Sequence, residues 1–148
     1  MRTALSGLLF ALGLTLGVGV SHAQQSEFLG TWSAEIEILL VADGEVAEVP
    51  RVMSIVVEEV DGSHVRGYRQ WEALTDVPGN VGGESTLIAA EPFIGAIDSD
   101  GVTLHLVEIE DSGMMFAELL GPDELEFTYM EAAPHAVVYT AILQRQAD

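Results

Sequence analysis

The sequence predicts an all-β protein: a single antiparallel up-and-down barrel of about eight strands, following an N-terminal signal peptide. Three observations predict it. Turn-forming clusters recur at short intervals, at Asp43-Gly44, Asp61-Gly62, Pro78-Gly79-Asn80, Asp100-Gly101, Asp111-Ser112-Gly113 and Gly121-Pro122-Asp123, and each supplies residues that accept turn geometry without strain. The runs between them are short, rich in Val, Ile, Leu and aromatics, and alternate apolar with polar instead of repeating at helical spacing. There is no cysteine, so no disulfide staples the fold, and an unstapled domain gains from closing its sheet and removing exposed strand edges.

The chain opens with Met1-Arg2-Thr3, a short positive end, followed by an uncharged apolar run over residues 5–20 and by Ser21-His22-Ala23, small residues at the two positions a signal peptidase reads. This predicts a secretory leader over residues 1–23 and one domain over residues 24–148, secreted or periplasmic. The apolar run falls short of the roughly 20 residues that span a bilayer, which makes a retained membrane anchor the weaker reading. Beyond the leader there are four arginines, no lysine and 24 acidic residues, a formal charge of −20. Such a surface repels phosphate backbones and anionic headgroups, so neither nucleic acid nor a membrane surface is an expected partner.

The first strand falls over residues 31–41. Trp32, Ala34, Ile36, Ile38 and Leu40 share one face and Ser33, Glu35 and Glu37 the other, so the first set is expected to face the core. Residues 51–60 place Met53, Ile55 and Val57 together, and Asp61-Gly62 is expected to turn the chain into a strand over residues 63–74. Six further runs cover residues 84–90, 93–98, 102–110, 114–120, 124–130 and 136–145. That makes nine candidates for about eight positions, with the short run 84–90 the weakest of them.

Gly30-Thr31-Trp32 resembles the G-x-W opening of lipocalins, which avidin-like proteins carry as G-T-W, and Val65-Arg66-Gly67-Tyr68 is similar to the glycine-then-aromatic pattern of the third avidin strand. The resemblance to this wider calycin group implies an eight-stranded barrel in which an arginine near the end of the last strand packs over the tryptophan. Arg145, on the face of Leu143, fits that structural role beside Trp32. The tryptophan cluster that encloses biotin in avidins is missing, because only Trp32 and Trp71 occur, so biotin is not implied.

Residues 63–74 gather Arg66, Arg69, Tyr68 and Trp71 in a region otherwise apolar or acidic. Val65, Gly67, Arg69, Trp71 and Ala73 share one face; His64, Arg66, Tyr68, Gln70 and Glu72 share the other, which is almost wholly polar and should face water. Arg69 and Trp71 are therefore expected inside. A buried guanidinium keeps its proton and needs a partner. Three readings stay open: an internal ion pair, for instance with Glu108, which lies with Leu104 and Leu106 by alternation; a clamp for a ligand carboxylate with Trp71 as a stacking wall; or a register slip that turns both outward. Tyr129, on the face of Leu125 and Phe127, is expected to bring a hydroxyl into the interior. Gly67, with no side chain to pack in mid-strand, marks a bend or a close approach.

Other chemical signals are sparse. His64, His105 and His135 lack metal-site spacing, Asp98-Ser99-Asp100-Gly101 suits a hairpin turn better than a calcium loop, and there is no nucleophile elbow, phosphate loop or zinc-protease motif. No catalytic residue, metal or cofactor is expected. The pattern points to a barrel that binds a small apolar or carboxylate-bearing ligand through Arg69, Trp71, Glu108 and Tyr129. Two alternatives remain: a lipid-type isomerase or cyclase using the same cavity, and a filled structural barrel that meets a protein partner.

Overall fold

The structure is a computed structural model that describes residues 26–42, 45–73, 87–132 and 136–147. The leader, the turns at Asp43-Gly44 and Pro78-Gly79-Asn80, residues 84–86 and His135 lie outside the described residues.

A short 3-10 turn, Ser26–Phe28, leads into eight strands: β1 Gly30–Ala42, β2 Glu45–Asp61, β3 His64–Ala73, β4 Leu87–Ile97, β5 Thr103–Glu108, β6 Met114–Gly121, β7 Glu124–Glu131 and β8 Ala136–Arg145. Each pairs antiparallel with the next, and β8 pairs back onto β1, so the sheet closes into a barrel in plain sequence order. Alternation works as the sequence implies. Trp32, Ile36 and Ile38 of β1, Met53, Ile55 and Val57 of β2, Leu104 and Leu106 of β5 and Leu125 and Phe127 of β7 are all buried, while their neighbours point out. These inward side chains form one apolar core, worth about 1.5–3 kcal/mol for each large side chain removed from water.

Three sequence expectations shift. The runs at 84–90 and 93–98 are not separate strands, because β4 continues through Glu91 and Pro92 and the count becomes eight. Proline usually ends a strand. Here Pro92 sits just beyond Phe93↔Glu108, where the β4–β5 ladder stops, so its missing N–H interrupts no ladder bond, and its carbonyl accepts from Ile109 N at 2.9 Å. The β2–β3 hairpin turns at Gly62-Ser63, since Asp61 pairs with His64, one residue later than expected; Gly62 takes the left-handed conformation, φ +58°. β2 also begins well before Arg51, pairing with the whole of β1.

The β2–β3 register shifts between Val57 and Glu59, leaving Glu58 as a bulge opposite the stretch that holds Gly67. A Cβ at Gly67 would collide with the Val56 carbonyl oxygen and lie 2.9 Å from Phe93 Cζ. Bend and close approach thus coincide at one residue, and the space lets Phe93 into the core.

One end of the barrel is plugged. Trp32, fully buried, donates its indole N–H to Phe28 O at 2.9 Å, and the Arg145 guanidinium lies 4.0 Å above its ring. Arg145 also donates to Pro122 O at 2.9 Å, Leu29 O at 2.6 Å and Glu27 O at 2.5 Å, tying the entry turn and the β6–β7 turn to the last strand.

Candidate functional site

Toward the other end the interior turns polar. β3 runs away from the plug, and its alternation carries Val65, Gly67, Arg69 and Trp71 along the inner wall in that order. Arg69 is 1% exposed. Its planar guanidinium is held between two rings, with Cζ 4.4 Å from the centre of Trp71 and 4.0 Å from that of Tyr129. With both faces covered, hydrogen bonds can form only along its edges. Nε donates to Glu108 Oε1 at 2.7 Å, and Nη2 meets both Glu108 and Glu91.

All four residues expected at the site therefore meet. Arg69 comes from β3 and Glu108 from the last position of β5, both buried; Tyr129 comes from β7, fully buried, and Trp71, half-buried, stands on the solvent side. The internal ion pair of Arg69 with Glu108 is the arrangement present, and no slip has turned the strand outward. Trp32, Arg145 and Gly67, expected as structural, lie at the plug and in the wall beneath.

Three members escaped the sequence reading. Glu91 is the direct cross-strand partner of Arg69 on β4. It was hidden because the strand was divided around it, although two-residue spacing from the core residue Phe93 marks its face. Glu131 follows Tyr129 by two residues and so shares its face; its carboxylate lies 2.8 Å from the Tyr129 hydroxyl, which also lies 3.1 Å from Glu108 Oε2. A phenol has one proton to give, so Tyr129 serves one carboxylate at a time. Tyr139, two positions from Ala141 and four from the core residue Leu143 on β8, stacks on Tyr129 with ring centres 5.3 Å apart and planes at 22°. Gly113 closes the layer from the β5–β6 loop: a Cβ there would collide with the Glu108 carboxylate, and the Gly113 carbonyl accepts from Glu108 N at 3.1 Å.

Burial sets the protonation of these groups. It pushes the Glu91 carboxyl up to about 7, reinforced by a hydrogen bond with Glu108 and opposed by the Arg69 charge. Burial also raises both phenols, Tyr139 to about 12, while the Arg69 charge works the other way. Near neutral pH, both phenols therefore keep their protons and Glu91 is poised between its two forms.

The layer is not fully satisfied. Among the described residues, two buried side-chain polar atoms have no hydrogen-bond partner: Arg69 Nη1 and the Tyr139 hydroxyl. Tyr139 is 6% exposed, and its hydroxyl lies against the Arg69 side chain, within reach of a hydrogen bond to it. Both are donors. Outside the wall, an exterior groove of about 530 Å³ is lined by His64, Arg66, Ile94, His105 and Val107. On its rim Arg66 pairs with Glu59, and His105 lies 3.6 Å from Asp98.

No family model matches the chain, and no curated protein matches it. A solved structure described as a redesigned β-barrel is similar in outline: 12% identical, covering 84% of this chain and 96% of that one, with a TM-score of 0.47.

Proposed function

We propose that this protein is an exported small-ligand-binding β-barrel of calycin-like type, secreted or periplasmic, which takes a partly apolar molecule at the end opposite the Trp32–Arg145 plug. The observation that carries this reading is the buried polar layer at that end, in which the Arg69 guanidinium is held among Trp71, Glu91, Glu108, Tyr129 and Tyr139. Trp71, Glu91 and Glu131 are half-buried and form the solvent side of the layer, while Arg69, Glu108, Tyr129 and Tyr139 lie beneath them. Entry therefore runs past the Trp71 indole, which can leave one face of the guanidinium and stack on a ligand instead. The leader-like residues 1–23 support export, and the ring of Trp32 under Arg145 supports the calycin-like reading.

Native mass spectrometry of protein purified from its own source tests this. A retained small molecule is expected, lost on Arg69→Ala or Trp71→Ala. A bare mass in the unsubstituted protein, with no change on substitution, would remove the site assignment.

One observation favours a second reading, a lipid-type isomerase. Glu91, with its carboxyl near 7, touches the guanidinium that would polarise a substrate, which suits a general base. That reading requires turnover of a lipid-like substrate that Glu91→Gln abolishes while leaving binding intact.

A further inference from the structure

We infer that the outer wall of the barrel carries a docking belt for an extended segment of a partner protein, apolar and cationic in composition. This goes beyond the interior site and holds whether or not that site takes a ligand.

The first ground is register. Six apolar side chains point outward along one unbroken row. Ile94 of β4 pairs with Val107 of β5, Val107 with Met114 of β6, Met114 with Met130 of β7, Met130 with Val138 of β8, and Val138 with Leu39 of β1. Each is between 36% and 53% exposed. Single apolar residues scattered over a surface are ordinary, but six in register make one contiguous patch, the kind that marks an interaction site. The next row toward the plug, Ala96, His105, Phe116, Thr128 and Thr140, holds no acid and no arginine, and so widens the patch. Two exterior grooves follow the same line. One of about 530 Å³ takes in Ile94 and Val107, and one of about 430 Å³ takes in Met114, Met130, Val138 and Leu39.

The second ground is charge. On the plug side of these rows Glu118 of β6 and Glu126 of β7 are direct cross-strand partners, both exposed, and like charges so placed repel each other. On the other side Glu110 and Asp111 of the β5–β6 loop are exposed beside the belt. The arginines of the described residues are engaged elsewhere: Arg66 with Glu59, Arg69 with Glu91 and Glu108, Arg145 with Asp123 and backbone carbonyls, and Arg51 with the Pro50 carbonyl. The apolar belt therefore runs between acidic borders that this chain does not neutralise. A partner that covers the belt and brings lysine or arginine to its borders gains from both.

The same borders decide against other occupants. A second copy would set acid border against acid border, between two molecules that each carry a large negative charge. Lipid fits poorly as well, because two rows about 7 Å apart make a band far narrower than the roughly 30 Å hydrocarbon layer, and anionic headgroups are repelled.

Shape selects an extended segment. The belt crosses six of the eight strands, so it curves with the wall over a length of about 24 Å, five spacings of about 4.8 Å. A straight helix meets only part of that arc. An extended chain can follow it, and about seven residues suffice. Apolar side chains at alternate positions then face the belt, while long cationic stems reach sideways to the acids. Met114 and Met130, at the middle of the row, can repack around differing partners.

The test is fluorescence anisotropy of three labelled peptides of about twelve residues, alternating Lys-Leu, Lys-Ser and Glu-Leu, titrated with the intact protein at about 0.15 M salt. It is repeated with Met114→Gln/Met130→Gln, with Glu118→Gln/Glu126→Gln, and with a charge-matched control, Glu45→Gln/Glu58→Gln on β2, which the belt does not cross. Thermal melting checks that each variant is folded. The Lys-Leu peptide is expected to bind at least about tenfold tighter than the other two, to lose about tenfold in each of the first two variants, and to change less than about twofold in the control. Equal binding of Lys-Leu and Lys-Ser, or equal losses in the two carboxylate variants, would overturn the inference and leave only a general attraction to an acidic surface. A dimer of the unsubstituted protein in sedimentation, abolished by Met114→Gln/Met130→Gln, would overturn it in favour of a second copy. Binding to phosphatidylcholine vesicles that exceeds binding to Lys-Leu and disappears in that variant would overturn it in favour of lipid. Failure of Lys-Leu to bind the folded protein would also overturn it, and in each case the reading of the interior site would stand or fall separately on its own mass measurement.

Discussion

At the scale of single residues, Arg69 decides most. Its charge is affordable inside the barrel only because Glu108 and Glu91 meet two of its edges and two aromatic rings cover its faces. Removing one partner leaves a buried charge short of compensation, so Glu108→Ala is expected to cost about 3 kcal/mol in chemical denaturation. The double variant Arg69→Met/Glu108→Met should lose clearly less than the sum of its single variants, because the charge and its partner disappear together. Additive losses would mean the pair is not coupled. At the plug, Arg145 spans three carbonyls and one indole face, a fork that a lysine ammonium cannot reproduce. Arg145→Lys is accordingly expected to recover little of the loss seen in Arg145→Ala, and full recovery would show that charge alone matters there. Gly67→Ala should destabilise by about 1–3 kcal/mol, since its methyl group meets the Val56 carbonyl and the Phe93 ring.

At the scale of elements, period-two alternation carried most of the reading. It placed Arg69, Trp71, Glu108 and Tyr129 on inward faces before any contact was known, because in a closed barrel inside and outside differ at every other residue. It failed where a strand boundary was misplaced. Glu91 went unread because Pro92 looked like a break, and no local signal tells that this proline falls at the end of its neighbour's ladder. Tyr139 could have been found from Leu143 by the same alternation, but that its hydroxyl lies against Arg69 depends on strands far apart in the sequence. The seam between β1 and β8 is the other feature that pattern cannot supply. Pairing joins Trp32 to Arg145 and Ser33 to Gln144 at one end, and Leu39, Leu40 and Val41 to Val138, Val137 and Ala136 at the other, with the same offset throughout and no ladder pairs between. By contrast, β1 pairs with β2 along its whole length. Amides of residues 34–38 and 139–143 that face this seam should therefore exchange with solvent faster than the alternate amides facing β2 and β7. Equal protection on both sides, measured by NMR hydrogen exchange, would contradict an open seam.

At the scale of the whole molecule, charge and pH act together. A formal charge near −20 after the predicted leader makes self-repulsion large, so added salt should raise the melting temperature by screening it. Glu91 adds a separate effect. Its carboxyl sits at about 7 in the fold against an ordinary 4.5, so between those values the folded state holds a proton that the unfolded state has released. Stability from this group is complete below pH 4.5 and is lost as pH rises through 7. Glu91→Gln should flatten the fall in melting temperature over that window, and salt should not. If the fall persists unchanged in Glu91→Gln, the general repulsion of the acidic surface is its cause.

The barrel, its plugged end and the polar layer at the other end converge on one place, the buried layer around Arg69, Tyr129 and Tyr139. The most direct measurement is a high-resolution crystal structure of the protein purified from its own source without denaturation. Electron density for a ligand lying against that layer, with an apolar body running past Trp71, is the predicted result. An interior filled by protein side chains and water alone would contradict it and leave a structural barrel with no ligand.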